Sequence, residues 1–66
     1  MRVILNGIER EIPDGMTISE LLNYLDLAPE RLAVERNYQI VRRADWEHVR
    51  IEEGDRVEIV HFVGGG

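Results

Sequence analysis

Apolar and polar residues alternate at both ends of this chain and recur with a helical period near its middle. In "MRVIL" and "IEREI" the spacing is two, and Asn6-Gly7 stands between the segments. A tight turn of that kind needs positive φ at both central residues, which Asn and Gly tolerate best. Residues 1–5 and 8–12 therefore predict a hairpin in which Leu5 faces Ile8, Val3 faces Arg10 and Met1 faces Ile12. Alternation puts Met1, Val3, Leu5, Ile8 and Ile12 on one face, and Ile4 on the other. Arg10 interrupts the apolar face and belongs at its margin, its stem along apolar surface.

"PDG" at 13–15 marks a turn. The period then changes. In "TISELLNYLDL", Ile18, Leu21, Leu22 and Leu25 fall at i, i+3, i+4 and i+7, an apolar stripe on one helix face. Thr17 with Glu20 makes a T-x-x-E capping box, and Pro29 bars the helix from running much beyond Leu27. So short a helix needs a sheet to pack against. "RLAVERN" predicts a third strand and "QIVRR" a short fourth one. "ADWEHV" is a loop or one helical turn. Trp46, the single tryptophan, reads better as a lid on one end of the core than as a binding residue. "EEGD" at 52–55 is a turn in which Gly54 takes positive φ. "RVEIVHFV" is the last strand, and its β-branched residues suit a central position.

A hairpin, one helix and later strands make an α+β domain, with one mixed sheet and the main helix packed across one face. That is the β-grasp, or ubiquitin-like, arrangement. The domain is expected over residues 1–63, with 64–66 as a flexible C-terminal glycine tail. If Val57 and Ile59 face the helix, Val60 and Phe62 point to the open face. There they either form a partner patch or pack under a loop.

Composition narrows the function. Thirteen Asp and Glu against eight Arg give a net charge of −5, which repels phosphate backbones and disfavours nucleic acid. Cysteine is absent, so disulfides and thiolate metal sites are excluded; His48 and His61 have no ligand spacing, and no metal is expected. No apolar run suits a membrane span or a signal peptide, so the default is a cytoplasmic protein. All cations are arginine. That reflects genome bias or the safety of a reactive acyl group on a chain free of lysine amines.

Enzyme machinery is missing. There is no Cys nucleophile, Ser19 lies inside the helix cap, and no glycine-rich loop joins a strand to a helix. Arg42-Arg43 is a solvated pair or a contact for an acidic partner. His61 is a surface residue or a base beside the tail. What remains is "HFVGGG" at 61–66. With glycine near 7% of ordinary composition, a chance Gly-Gly ending has a frequency of about 0.5%. A glycine α-carboxylate is ionised at neutral pH and carries no side chain to block approach. Three extended glycines reach roughly 10 Å, thin enough to thread a tunnel in a partner. A partner could present that carboxylate to the α-phosphate of ATP, and the acyl-adenylate would be open to a sulfur donor.

"MRVILNG", "TISELLNYL", "AVERNYQIVRRADW" and "GDRVEIVHFVGGG" together resemble the ThiS family of sulfur carriers along nearly the whole chain, most specifically in the last segment. The resemblance implies a β-grasp fold. It implies a carrier rather than an enzyme, binding no cofactor itself and using ATP only through a ThiF-type adenylating partner. The terminal carboxylate becomes a thiocarboxylate with sulfur from a donor protein. It then supplies thiazole synthase, ThiG, in thiamin biosynthesis. By resemblance Gly66 bears the reacting carboxyl, Gly65 gives tunnel access and Gly64 extends the tail. Val63, Phe62 and Val60 fall to partner binding, since family partners meet the open sheet face. Tyr38 departs from the family's turn glycine and Arg42 from its proline. Related carriers serve molybdopterin synthesis or tRNA thiolation, and a ubiquitin-like modifier or plain interaction module is the reading from another class.

Overall fold

The computed structural model describes residues 1–62. The hairpin forms from β1 (Arg2–Leu5) and β2 (Ile8–Glu11), with Leu5 opposite Ile8 and Val3 opposite Arg10. Asn6 and Gly7 take φ of 50° and 81°, the primed-turn geometry that their side chains allow. The open end of the hairpin is closed by the Met1 amine. It donates to the Ile12 carbonyl at 2.6 Å and lies 2.8 Å from Asp14 Oδ1 and 3.3 Å from Glu11 Oε2. The Asp14 hydrogen bond first, then Glu11, holds the amine above its ordinary pKa.

Helix α1 (Ile18–Tyr24) begins at a complete capping box. Thr17 Oγ1 accepts the Glu20 N–H at 3.2 Å, and Glu20 Oε1 accepts the Thr17 N–H at 2.8 Å. The helix buries Ile18, Leu21 and Leu22. It stops before Pro29 can act. Asp26 turns to φ 59°, its N–H bonding to the Asn23 carbonyl and the Leu27 N–H to the Leu22 carbonyl. Those two bonds make a Schellman motif, with aspartate in the left-handed position that glycine usually holds.

A 3₁₀ turn at Pro29–Arg31 leads into β3 (Leu32–Arg36), which pairs with β4 (Gln39–Val41); β5 (Arg56–His61) follows. The sheet order is β2-β1-β5-β3-β4, with β5 parallel to β1 and antiparallel to β3. The last strand is thus central, as its β-branched residues predict. The core joins Val3 and Leu5 of the hairpin, the helix stripe, Leu32 and Val34, and Val57. Trp46 closes one end. It is buried, donates its Nε1–H to the Val41 carbonyl at 2.9 Å, and carries the Arg43 guanidinium 4.6 Å above its ring. Arg43 thus stays exposed, as does Arg42, while its guanidinium stacks on Trp46. The "ADWEHV" region supplies the tail of a single 3₁₀ turn at Arg43–Asp45.

Ile8 pairs with Leu5 on the apolar face of the hairpin, as alternation predicts, yet it is 65% exposed. The helix ends too early to reach over the hairpin tip, and no other described element covers it.

Candidate functional site

The end of β5 is positioned from both sides. Toward β3, the Phe62 N–H donates to the Arg31 carbonyl at 2.9 Å. Toward the hairpin, Asn6 stands in for a strand. Its N–H donates to the Val57 carbonyl at 2.9 Å, and its side-chain Oδ1 accepts the Ile59 N–H at 2.7 Å. The β1–β5 ladder pairs only Ile4 with Arg56 and Leu5 with Val57, so the Asn6 side chain extends it by one acceptor. The turn residue chosen for its φ also fixes the last strand. Sequence spacing gave no sign of that second task, because the partners lie 53 residues apart.

The start of β5 is held by Asp55, buried between two turns. Its Oδ2 accepts from Arg36 Nε at 2.7 Å and from the Glu52 N–H at 2.8 Å, and its Oδ1 accepts from Asn37 Nδ2 at 3.1 Å. Asn37 returns the link, its Oδ1 accepting the Arg56 N–H at 3.0 Å. Burial is the largest single influence on Asp55 and pushes its carboxyl up. The Glu52 N–H, Arg36 and Asn37 together outweigh it and hold the carboxyl below its ordinary value of 3.8.

Parity then sorts the strand's side chains. Val57 is fully buried and Ile59 packs against the core, so both face the helix. Val60 and Phe62 point to the open face and are 55% and 48% exposed. The exposed-patch reading of these two residues is the one observed; no described loop covers them. Val60 pairs with exposed Ala33, and Ile40 on β4 adds a further uncovered apolar side chain. The same face carries Glu35 directly opposite Glu58. Val63, Gly64, Gly65 and Gly66 lie outside the described residues.

His61 falls on the helix side. With Leu5, Leu32, Ile59, Leu25 and Leu27 it lines a groove of about 370 Å³, completed by Asn6 and Arg10. The groove lies where Asp26 ends the helix, and its sheet-side lining includes the buried Leu5 and Leu32. Arg10 does lie at the margin of the apolar face, as expected. Among the described residues, no three His, Cys, Asp or Glu side chains come together. No described helix is long and apolar enough to cross a membrane. The arrangement presents a rigid strand end with an apolar patch on one face and a groove on the other.

Comparison with known proteins adds four likenesses. The ThiS family model matches residues 3–66. The chain is 41% identical over its whole length to a thiazole synthase of Paramagnetospirillum magneticum, of which it spans only 20%. It is 30% identical over 66 residues to the sulfur carrier protein ThiS of Escherichia coli, with both chains covered in full. Its fold superposes on the crystal structure of the thiamine biosynthesis protein ThiS from Geobacter metallireducens with a TM-score of 0.89, at 30% identity and full coverage of both chains. The sheet order and single helix are those of the ubiquitin-like β-grasp.

Proposed function

We infer that this chain, which belongs to the ThiS family, is a sulfur carrier protein of thiamin biosynthesis, and that its reacting group is the carboxylate of Gly66. The observation that carries this reading is the extent of the family match. It runs through residue 66 and so includes the glycine segment beside an otherwise site-poor domain. The domain's part is to hold the strand end firm, so that a partner grips the domain while the glycines enter its active site.

The chemistry belongs to the partners. In a ThiF-type adenylating enzyme, a Gly66 carboxylate oxygen bonds to the α-phosphorus of ATP and pyrophosphate leaves. A donor protein's persulfide then adds at the acyl carbon and AMP leaves, giving an acyl disulfide. A thiol reductant cleaves its S–S bond, which frees the thiocarboxylate and leaves the thiol as a disulfide. Thiazole synthase consumes it. Likeness to a protein named thiazole synthase supports thiamin over molybdopterin synthesis or tRNA thiolation. Val60 and Phe62, with Val63 beyond them, are the docking contacts of this scheme. The exposure of Val60 and Phe62 supports it, because uncovered apolar area next to a reactive segment suits a transient partner.

Incubation with ATP, the adenylating enzyme and a sulfur source tests the reading. Intact mass should rise by the exchange of one oxygen for one sulfur, localised to Gly66. An unchanged mass, under conditions that load an established carrier, overturns it. Val60→Asp should slow loading by weakening docking without unfolding the domain.

A further inference from the structure

We propose that the groove on the helix side of the sheet is a second docking surface, which receives a segment of thiazole synthase bearing a large apolar side chain beside a carboxylate. The proposal rests on the carrier reading above and adds a surface and a partner chemistry to it.

Four observations meet at this groove. The first is its origin. The Schellman stop at Asp26 ends the helix at this end of the sheet, where Leu25, Leu27 and Ile59 line the trough together with Leu5 and Leu32, which are themselves buried. The second is Ile8. It is the cross-strand partner of Leu5, on the same face, and stands uncovered beside the groove. An exposed aliphatic residue next to an apolar trough is surface that a partner gains by covering.

The third is charge. The chain carries −5, yet the ionisable side chains lining this groove are Arg10 and His61, and none is acidic. Arg2, Arg36 and Arg56 are each paired with a carboxylate. Arg43 and Arg50 donate to carbonyls. Arg10, like Arg31 and Arg42, makes no side-chain hydrogen bond or ion pair among the described residues, and of these three it is the one that lines the groove. A guanidinium left unpaired at the rim of an apolar trough complements a carboxylate that arrives with an apolar neighbour.

The fourth is position. His61 closes the groove and ends β5, so whatever binds here sits against the strand that leads to the glycines. Thiazole synthase is the occupant favoured by the comparisons. In the Paramagnetospirillum magneticum protein, a region like this whole chain is joined to a much longer polypeptide of that name. A partner gripping the open face and the groove together would clasp β5 from both sides.

The test compares Arg10→Glu with Arg42→Glu, which makes the same charge change at an exposed site outside the groove. Binding of the full chain to thiazole synthase is measured alongside sulfur loading by the adenylating enzyme. Arg10→Glu should weaken binding to thiazole synthase by about tenfold, consistent with loss of a charge-assisted contact. It should load sulfur and melt like wild type. Arg42→Glu should bind like wild type. Equal weakening by both variants would reduce the effect to overall charge and overturn the groove. So would wild-type affinity in Arg10→Glu. Methyl resonances of Leu25, Leu27 and Ile59 give a second readout. They should shift on addition of thiazole synthase, and shifts confined to Val60 and the open face would also overturn the proposal. A wild-type chain that never gains sulfur refutes the carrier reading instead, by a different measurement.

Discussion

Four described residues other than glycine take positive φ, Asn6, Asp26, Asn37 and Tyr38, and of these aspartate at 59° and tyrosine at 70° suit that conformation less well than asparagine. Among the described residues, the Asp26 side chain makes no hydrogen bond or ion pair to offset the strain. Tyr38 lies under the Arg56 guanidinium, 5.3 Å from its ring centre. Asp26→Gly should therefore stabilise the domain by about 1 kcal/mol. Tyr38→Gly should gain less, since a stacked cation is worth about 0.5–1 kcal/mol at an exposed site. Asn6 is the counter-case. It too has positive φ, but Asn6→Gly should destabilise by about 1 kcal/mol, because the Ile59 N–H loses its acceptor. Urea midpoints at constant slope rank the three; a stabilised Asn6→Gly would refute the pinning role. At this scale the turn at Asn6-Gly7 was legible, because Asn-Gly has few other uses. Asp26 was not, because nothing in "YLDLAP" distinguishes a left-handed aspartate from a helical one.

Single elements carry most of what periodicity can announce. The helix start was written in Thr17 and Glu20, and both arms of the box form. Thr17→Ala should cost about 1 kcal/mol and Thr17→Ser much less, in equilibrium denaturation. Equal losses would mean the methyl, not the hydroxyl, matters at this buried site. The link between elements is Asp55, which ties the β3–β4 turn to the turn before β5. Its carboxyl is held below its ordinary value in the folded chain. Its stabilising effect is therefore full above about pH 4 and is lost as pH falls through the lower, folded value. Asp55→Asn should flatten the acid limb of the stability profile, measured as the urea midpoint against pH. Asp55→Ala should cost about 2 kcal/mol at neutral pH, since Arg36 and the Glu52 N–H lose their acceptor. An acid limb unchanged in Asp55→Asn would assign acid sensitivity to other carboxylates. No spacing rule announces this cluster: Arg36 and Asp55 are 19 residues apart and meet only when β3 lies beside β5.

At the scale of the whole molecule, the carrier reading separates stability from reactivity: among the described residues the buried core runs from Val3 to Val57. Removal of Gly65 and Gly66 should leave the melting temperature unchanged and abolish sulfur loading in the mass assay. A fall in melting temperature would show that the glycines contribute to the fold. The half-buried Glu35–Glu58 pair adds a point about the open face. Like charges directly opposite one another weaken a sheet slightly. Glu58 has only Arg56, 3.9 Å away, as a recorded counter-charge.

The amino-acid sequence by itself determined the elements, their order and the central place of the last strand, and it pointed the functional reading at the glycines. The elements follow from period and turn chemistry, which act over a few residues. The tertiary structure alone decided what those elements leave uncovered. It placed Val60 and Phe62 outward, exposed Ile8, gave Asn6 a second partner and opened a groove beneath Arg10 and His61. Each of these depends on where one element ends against another, and here a single left-handed residue at Asp26 sets that length.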